Sequence, residues 1–473
     1  MNNKPDLSKK ISELKKQLVA DLMDLVKIPS VYDGETFKLQ PVKDAANKCV
    51  ELLKAAKVTD VEQKCIGDEK KNAPLVYARC GPANPPKDTP TVLLYAHYDV
   101  VKPGSWSEAF KPVIKGNRVV GRGAADDKSG VMMHVGVLRA FDGKPPVNLK
   151  VVLEGEEESG DTLETYVRKN PDLFKADVIV VADAGNYKLG EPTFTTSLRG
   201  VVDVDVTVST LGIPKHSGVY GGPVPDAFMV LVRMLAKLLD DAGDVAVPGL
   251  VREHWQGHEP DENGFRKEAG VLDSVRLIGT DTLGSRLFDR PSVNVVGLDG
   301  VPSMKDAVNL LRDTVTARVS LRIAPKQNPA DAVFLLRQFL EQGALNPWGA
   351  EVTVKAVDAG GAGFEADTTL PAFTVAGKAM KHAYPGKEVA FTGDGGSIPL
   401  VAQLQRINPK AALLLIGCQE PTCLIHSYPE SVDIDELATM TLAECYLLDL
   451  LAPGAKATGL EAMAPTAVPA GTV

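Results

Sequence analysis

Short apolar runs that end in acidic or histidine side chains alternate with helix-forming segments over the first 183 residues of the chain. Three of these runs are rich in β-branched residues and predict buried strands, at 91–100, 147–158 and 176–183. The segments around them predict helices, at 8–27, 43–56 and 128–141. Strands that alternate with helices predict an α/β fold, with a mostly parallel central sheet flanked by helices.

The sequence changes in character after about residue 197. The segment RGVVDVDVTVST alternates apolar and polar residues, as a half-exposed strand does. Further strands are predicted at 315–325 and 350–357, and helices at 225–241 and 329–343. This order resembles a small α+β, ferredoxin-like βαββαβ sandwich that is inserted into the larger domain.

The first pattern returns near residue 371, with a predicted helix at 371–384, the loop GDGGSIP, a strand at 411–417 and a helix at 433–451. A chain of 473 residues is too long for one core, because single cores stop growing near ~250–300 residues. We therefore predict a larger domain in two parts, at 1–196 and 364–452, with a smaller domain inserted between them at 197–363. The Pro-rich tail at 453–473 is predicted to be disordered.

Composition disfavours several classes of function. The 52 Lys and Arg residues against 61 Asp and Glu give a net charge of −9, which argues against a nucleic-acid-binding surface. No segment approaches the ~20 apolar residues that a membrane helix needs, and the charged start lacks the apolar run of a secretory signal. Six cysteines are few for this length and fit reduced thiols, so we expect a cytoplasmic protein without nucleic-acid or membrane partners.

The first predicted strand ends in His97 and Asp99, which lie on one side of it because side chains alternate along a strand. In open α/β sheets, ligands bind at the edge that the carboxyl ends of the strands form. A carboxylate behind an imidazole fixes the tautomer and raises the basicity of a metal-binding histidine. The pair by itself favours a structural histidine, so a metal site depends on the other strand ends.

The segment GRGAADDKSG (121–130) places Asp126 and Asp127 before a predicted helix, where acidic residues commonly act as N-caps. Its glycines do not complete a G-x-G-x-x-G fingerprint after a strand, and its acids would repel a pyrophosphate. A nucleotide-dependent oxidoreductase on the same type of sheet is therefore disfavoured.

Acidic side chains also crowd the ends of the next two strands. Glu156, Glu157 and Glu158 follow the apolar run VVLEG, and like charges this close are costly without a counter-charge. Asp183 ends the third strand, and His426 follows the late strand. His, Asp and Glu without a thiolate suit zinc. The four strand ends taken together, rather than any one of them, predict a metal centre.

The ordered motifs HYD, GRGAADDK, GEEESG, VVAD, HSGVYGG, RIAP, DGGSIP and LIHS resemble those of the dizinc metallopeptidases of the carnosinase and cytosolic dipeptidase type. These enzymes belong with aminoacylase, acetylornithine deacetylase, succinyl-diaminopimelate desuccinylase and the glutamate carboxypeptidases. The resemblance covers nearly the whole chain except the C-terminal tail. It implies a zinc-peptidase domain with an inserted lid, and hydrolysis of dipeptides or short peptides.

The metal ligands implied by the resemblance are the strand-end residues. Two zinc ions per subunit are expected, with manganese or cobalt as alternatives. His97 and Asp183 would bind one ion, and Glu158 and His426 would bind the other. Asp126 would bridge the two ions.

Three neighbouring acids also receive roles from the resemblance. Glu157 would be the general base, taking a proton from the water that the two ions share and returning it to the leaving amine. Asp99 would orient His97. Asp127 would follow Asp126 across a cis peptide bond.

The resemblance also implies a contribution from the inserted domain to catalysis. His216, in HSGVYGG, would donate to the developing oxyanion. In the family this histidine can arrive from the partner subunit, which implies a homodimer formed through the lid domain.

A substrate-binding set is implied in the same way. Arg322, in SLRIAP, would clamp the substrate carboxylate with a bidentate guanidinium. The other substrate-binding positions are Asn309, Gly395, Gly396 and Ser397. The chain departs from the family pattern at two nearby positions, with Arg312 where the family usually has Pro and Asp394 where it often has Glu.

The identity of Asp183 bears on the substrate class. Family members with Asp at this position tend to be dipeptidases or aminopeptidases, and those with Glu tend to be carboxypeptidases or deacylases. An N-acyl-amino-acid amidohydrolase or carboxypeptidase of the same superfamily is the main alternative. A catalytically inactive binding protein is a second alternative, which the presence of Glu157 and of the full ligand set disfavours.

The remaining histidines are assigned structural roles. His134 is expected to pack within its helix, and His382 to lie at a helix end, where positive charge is favourable. His254 and His258 are four residues apart and could hold a metal on one helical turn, but a polar insertion in the lid is favoured.

Overall fold

The computed structural model describes residues 6–34, 36–343, 345–346 and 348–454. The chain divides into two compact units. The first comprises Met1–Pro192, Thr368–Val389 and Ile407–Val473, and the second comprises Thr193–Asp367 and Ala390–Arg406. The domain boundaries given above stay predictions, as does the state of the tail, because residues 455–473 lie outside the described residues.

Within the described residues, the chain forms eleven α-helices and eighteen β-strands. The helices are α1 (Leu7–Val26), α2 (Gln40–Ala55), α3 (Lys128–Ala140), α4 (Thr162–Lys169), α5 (Ser217–Tyr220), α6 (Ala227–Leu235), α7 (Glu262–Glu268), α8 (Pro329–Leu340), α9 (Pro371–Ala383), α10 (Pro399–Ile407) and α11 (Ile434–Leu451). The strands are β1 (Asp60–Lys64), β2 (Leu75–Cys80), β3 (Thr91–His97), β4 (Val113–Lys115), β5 (Arg118–Val120), β6 (Asn148–Glu154), β7 (Val178–Val181), β8 (Thr193–Leu198), β9 (Gly200–Ser209), β10 (Lys215–His216), β11 (Ser292–Asp299), β12 (Leu310–Leu311), β13 (Thr314–Ile323), β14 (Glu351–Ala356), β15 (Phe364–Glu365), β16 (Ala390–Asp394), β17 (Ala412–Leu415) and β18 (Ser431–Asp433).

The first unit is built on strands in the order β1-β2-β6-β3-β7-β17. β3 runs parallel to both β6 and β7, and β17 runs parallel to β7, whereas β1–β2 and β2–β6 are antiparallel pairs. β7 and β17 are buried at every residue and β3 at all but its first, as strands covered on both faces are. The predicted α/β fold is confirmed, and its sheet is mixed because of the antiparallel edge.

Apolar faces hold the helices of the first unit together. α3 lies against β3 and contacts α1 and α11, and α11 also contacts α9. Of the apolar residues whose spacing predicts α1, the helix buries Ile11, Leu18, Leu22 and Leu25, and Leu14 is half-buried. At the start of α1, Asp6 Oδ1 accepts the N–H of Lys9 and acts as its N-cap.

Most predicted elements are present with ends displaced by a few residues. Two differences are larger. The strand predicted at 147–158 ends at Glu154, so the three acids Glu156 to Glu158 lie in the turn beyond it. The helix predicted at 225–241 ends at Leu235 and continues only as a 3₁₀ turn.

A four-stranded antiparallel sheet with the order β11-β13-β9-β14 forms part of the second unit. β9 alternates buried and half-buried residues along its whole length, and Val206 pairs with Ala317 on one side and Val354 on the other. α6 and α8 pack on β9, where Leu231 and Leu336 join the same buried cluster. The chain order β9-α6-β11-β13-α8-β14 matches the predicted βαββαβ arrangement.

The second unit also contains smaller strand pairs. β8 pairs antiparallel with β15 and parallel with β16, and β10 pairs antiparallel with β12. The segment 244–290 contains α7 and is otherwise mostly irregular, with the ring of Trp255 5.0 Å from that of Phe288. Among the helices of the described residues, none has both the length and the apolar character required to cross a membrane.

Candidate metal centre and active site

Five segments of the first unit bring imidazole and carboxylate side chains together. His97 ends β3, and Asp126 lies in the loop before α3. Glu158 follows β6, Asp183 follows β7 and His426 lies in the loop after β17. Because β3, β6, β7 and β17 run parallel, their carboxyl ends lie at one edge of the sheet, where α/β proteins bind ligands.

The fully buried ring of His97 directs its Nε2 atom into this cluster. Nε2 is 3.1 Å from Asp126 Oδ1 and 3.8 Å from Asp183 Oδ1. On the other side of the ring, Nδ1 is 3.3 Å from Asp99 Oδ1 and 3.2 Å from the Asp99 carbonyl oxygen. This is the arrangement in which a carboxylate orients a metal-binding imidazole.

His426 approaches the same cluster from a different loop. Its Nε2 atom is 3.1 Å from Asp126 Oδ2 and 3.2 Å from Glu158 Oε1. The backbone of His426 has a φ of 56°, a left-handed conformation that is uncommon outside glycine. Asp126 therefore meets a different histidine with each of its carboxylate oxygens, His97 with Oδ1 and His426 with Oδ2.

Two sets of three side chains have potential ligand atoms that all lie within 4.8 Å of one another. The first set is His97, Asp126 and Glu158, and the second is His97, Asp127 and Asp183. Four of these five residues were predicted as ligands from the sequence. His426, the fifth predicted ligand, is in hydrogen-bond range of two members of the first set.

Asp127 was not predicted as a ligand, and both of its oxygens already accept hydrogen bonds. Oδ2 accepts the N–H of His97 at 3.1 Å, and Oδ1 accepts the N–H of Gly130 at 3.1 Å. Asp127 is therefore the N-cap of α3 and also fixes the backbone at the end of β3. The peptide bond between Asp126 and Asp127 is cis.

Burial increases the proton affinity of two acids of the cluster, Glu157 and Asp183. It raises the pKa of the Glu157 carboxyl well above its ordinary value, and Asp183 and Glu158 nearby add to the rise. Burial likewise raises the pKa of Asp183 to about 6. Contacts with Asp126 and Glu158 raise the pKa of His426 to about 10. A divalent cation would offset the concentrated negative charge, and imidazole nitrogens with carboxylate oxygens fit zinc and related ions.

Two contacts around this cluster were not predicted from the sequence. Gln419 Nε2 donates to Asp183 Oδ1 at 3.0 Å. Glu430 Oε1 accepts the backbone N–H of Asp126 at 3.1 Å. Neither residue has a sequence signal of its own, and the one hint is that Glu430 lies four residues after His426.

Arg322 in the second unit contacts one of the other predicted substrate-binding residues. Its Nη1 atom donates to Ser397 Oγ at 2.9 Å. A second arginine, Arg199, donates from Nε to the Gly395 carbonyl at 3.3 Å. Burial lowers the pKa of Arg199 to about 10, and the nearby charge of Arg322 contributes to the fall. Sequence analysis did not identify Arg199, because no motif there distinguishes it from an ordinary arginine before a strand.

Three other predicted positions of the second unit make hydrogen bonds of their own. Gly396 donates its N–H to the side chain two residues before it, at 2.6 Å. His216 is exposed, and its Nδ1 accepts the N–H of Gly218 at 3.1 Å. Asn309 is also exposed, and its carbonyl accepts the N–H of Ser217 at 3.0 Å. The catalytic and substrate-binding roles of these residues stay predictions.

The other histidines have local partners. His134 is buried, with Nδ1 2.9 Å from Glu444 Oε1 and Nε2 3.0 Å from the Tyr95 carbonyl. His254 Nδ1 is 2.9 Å from Asp281 Oδ1. Residues 254–258 are not helical, so they do not form the helical-turn metal clip considered above.

An α/β sheet that gathers two imidazoles and several buried carboxylates at its carboxyl edge is the framework of a metal-dependent hydrolase. The sequence model of Peptidase family M20/M25/M40 matches residues 93–449. The chain belongs to this family, and it is a metallopeptidase.

Similar proteins include several dipeptidases. The chain is 38% identical over 379 residues to the "Cysteinylglycine-S-conjugate dipeptidase" of Corynebacterium striatum, with 78% of this chain and 82% of the relative covered. It is 29% identical over 461 residues to the "Cys-Gly metallodipeptidase DUG1" of Saccharomyces cerevisiae, with 90% and 93% covered. The solved structure of human carnosine dipeptidase 1 has the same fold, with a TM-score of 0.76, 22% identity and coverage of 94% and 98%.

Proposed function

We propose that this protein hydrolyses the amide bond of dipeptides or similar short peptides at a centre of two divalent cations, with zinc as the working ion. The observation that carries the proposal is the position of Asp126, whose two carboxylate oxygens each lie 3.1 Å from a different histidine. A carboxylate between two imidazoles is well placed to act as a ligand that two cations would share.

The proposed ligands divide into two groups around Asp126. His97 and Asp183, whose Nε2 and Oδ1 atoms are 3.8 Å apart, would hold one cation. His426 and Glu158, whose Nε2 and Oε1 atoms are 3.2 Å apart, would hold the other. When bound, the two cations supply the positive charge that lowers the pKa of water and polarises the substrate carbonyl.

Glu157 is suited to the role of general base. Its Oε2 atom is 4.0 Å from His97 Nε2, so the carboxylate faces the centre without a hydrogen bond to that ring. The side chain is 20% exposed, which leaves it accessible to water and substrate. Glu157 would take a proton from the attacking water and deliver it to the leaving amine nitrogen.

The second unit would supply substrate recognition. Arg322 would pair with the terminal carboxylate of the dipeptide, and Ser397 supports the guanidinium through its 2.9 Å contact. Gly395, Gly396 and Asn309 would complete the carboxylate site.

His216 would donate to the carbonyl oxygen as it gains negative charge. The exposure of its side chain fits a residue that completes a site on another subunit, so we propose a homodimer formed through the lid.

The choice of dipeptides follows from the names of the relatives and from Asp183. Two relatives are named for Cys-Gly or for its S-conjugates, and the human "Beta-Ala-His dipeptidase" is 26% identical over 363 residues. Aspartate at the Asp183 position favours a dipeptidase over a deacylase. We therefore take Cys-Gly, an S-substituted Cys-Gly and β-Ala-His as the first substrates to test.

The proposed cellular location is the cytoplasm. All six cysteines are free thiols, and four of them are buried: Cys49, Cys418, Cys423 and Cys445. Free thiols fit a reducing compartment.

Metal analysis combined with a peptide panel on one preparation tests the proposal. We expect two metal equivalents per chain and faster hydrolysis of free dipeptides than of the same dipeptides with an acetylated N-terminus. Faster hydrolysis of the acetylated forms would favour the amidohydrolase alternative. Two bound zinc equivalents without hydrolysis of any amide would favour a binding protein.

A further inference from the structure

Arg122 and Glu430 form a buried ion pair beside the candidate metal centre. Their side chains are 2% and 0% exposed, and Arg122 Nη1 is 2.6 Å from Glu430 Oε2. A buried ion pair is tolerated only where further hydrogen bonds satisfy the rest of both groups. Here both Glu430 oxygens and both terminal nitrogens of Arg122 have partners, most of them in the backbones of two loops that carry proposed metal ligands. The remaining nitrogen, Arg122 Nε, is buried without a hydrogen-bond partner among the described residues.

Glu430 accepts hydrogen bonds from the loop that contains Asp126. Oε1 accepts the N–H of Ala125 at 3.0 Å and that of Asp126 at 3.1 Å, and Oε2 accepts the N–H of Gly123 at 2.9 Å. With Arg122, Glu430 has four partners that are all donors. A carboxylate can accept on both oxygens, so the side chain matches this set of donors.

Arg122 reaches the loop that contains His426. Its Nη2 atom donates to the Ser427 carbonyl at 2.9 Å, one residue after the proposed ligand. The next residue, Tyr428, stacks on Trp106 with ring centroids 6.4 Å apart, and the Arg122 guanidinium lies 5.9 Å from the Trp106 ring. Arg122 belongs to the loop that contains Asp126, and both of its partners, Glu430 and Ser427, belong to the loop that contains His426. The guanidinium therefore joins the two loops.

We propose that Arg122 and Glu430 are positioning residues that hold Asp126 and His426 in a fixed relation, so that the cation site they share is formed before the metal arrives. The inference rests on the proposed roles of Asp126 and His426 as ligands. Metal binding would reduce the conformational entropy of two independent loops, and this loss would oppose binding. Loops that an ion pair already holds together have less conformational entropy to lose when the metal binds. The pair would therefore increase the affinity for the cation that His426 holds.

Arg122→Lys is the selective test. Lysine keeps a positive charge opposite Glu430, but its single ammonium lacks the planar fork that also reaches Ser427. We expect one of the two zinc affinities to fall by roughly 10–100-fold, with kcat partly restored by excess zinc. The measurement is a zinc titration of the chelator-treated full chain by calorimetry, supported by the visible absorption of the cobalt-loaded protein. Glu430→Gln places an NH₂ group opposite backbone N–H donors, so it should lower the zinc affinity of the same site more than Arg122→Lys does.

Asp21→Asn is the matched control. Asp21 Oδ2 lies 2.7 Å from Arg139 Nη2 in another largely buried ion pair, which joins α1 to α3. Its loss should lower the melting temperature and leave both zinc affinities unchanged. Wild-type zinc affinities in Arg122→Lys would overturn the inference, whether or not Glu430→Gln folds.

His426→Ala distinguishes the inference from the proposed function beneath it. If His426→Ala loses one zinc while Arg122→Lys binds both as the wild type does, only the positioning role is wrong. If His426→Ala still binds two zinc ions with wild-type affinity, the ligand assignment is wrong and the inference falls with it.

Discussion

The Asp99 carboxylate accepts the backbone N–H of Glu158 on its Oδ2 atom, at 3.0 Å. Its Oδ1 atom lies 3.3 Å from the N–H nitrogen of Glu157 and 3.3 Å from His97 Nδ1. One buried carboxylate therefore supports both the imidazole at the end of β3 and the turn that carries two predicted active-site acids.

Asp99→Asn tests this double support. The substitution replaces one accepting oxygen by an NH₂ group, which is a donor. In one orientation of the amide this group faces the backbone N–H donors, and in the other it faces a protonated His97 Nδ1. We expect kcat/KM and zinc affinity each to fall by roughly 10–100-fold, measured by steady-state kinetics and metal titration. Asp177→Asn is the control, because Asp177 accepts the N–H of Thr91 at the other end of β3, at 2.8 Å. Wild-type values in Asp99→Asn would contradict the role.

The contact of Asp99 with His97 was within reach of the sequence, because the two residues are two apart at the end of a predicted strand, where side chains alternate. In the structure β3 ends at His97 itself, and Asp99 follows it. The buried strands, whose apolar runs are local, were also within reach of the sequence, and so were the acids that follow them. Their gathering at one edge follows once a parallel sheet is assumed. Local patterns therefore predicted the α/β fold and the region of the candidate site.

Contacts between distant segments were not predictable in this way. Glu430 binds the backbone N–H of Asp126 across 304 residues of chain, and Arg199 binds Gly395 across 196. Neither contact leaves a periodicity or motif in the sequence, since backbone partners can be any residue. β1 was missed for a different reason, because its residues DVEQK are exposed or half-exposed and lack an apolar run.

Glu157→Gln should separate catalysis from metal binding. The amide cannot accept a proton from water, so we expect kcat to fall by about 10²–10⁴-fold with metal content unchanged. Kinetics and metal analysis on the same sample provide the check. Glu156→Gln is the control, because Glu156 accepts the N–H of Ala73 at 2.7 Å outside the proposed machinery. It should cost stability and leave kcat within a few-fold of wild type. A fully active Glu157→Gln enzyme would exclude Glu157 as the base.

Arg322→Met should affect only substrates with a free terminal carboxylate. Loss of a charge-assisted contact of about 1.5–3 kcal/mol predicts a KM increase of roughly 10–100-fold for a dipeptide. The corresponding dipeptide amide should show little change. Arg318→Met is the control on the same strand, since Arg318 pairs with Asp205 at 2.8 Å on an exposed surface. Equal losses on the acid and the amide would refute carboxylate recognition by Arg322.

His216→Ala should lower kcat by about 10²-fold or more while zinc content is retained, because the proposed oxyanion donor is lost. Mixing it with Glu157→Gln tests whether His216 serves the partner subunit. Random exchange in a dimer would restore about a quarter of wild-type activity, because each mixed dimer then has one intact site. No recovery after confirmed subunit exchange would mean that His216 acts within its own chain, and a loss of zinc would mean that it is a ligand.

His134 and Glu444 give the fold a dependence on pH that is separate from catalysis. Both side chains are fully buried, with His134 Nδ1 2.9 Å from Glu444 Oε1. Burial lowers the pKa of His134, but Glu444 and the Tyr95 carbonyl raise it more, so it lies above the ordinary value of 6.5. A raised folded-state pKa stabilises the fold fully below the unfolded-state pKa, and this contribution disappears as pH rises through the folded-state pKa.

Glu444→Gln removes the charge from this pair while an amide can still hydrogen-bond to neutral imidazole. We therefore expect the loss in unfolding free energy to be largest at about pH 5.5 and to shrink as pH rises above about 6.5. Urea unfolding of wild type and variant at several pH values measures this difference. Asp21→Asn is the control, because its partner Arg139 keeps its charge over this range and the loss should stay constant. A loss in Glu444→Gln that is independent of pH would show that His134 stays neutral in the fold.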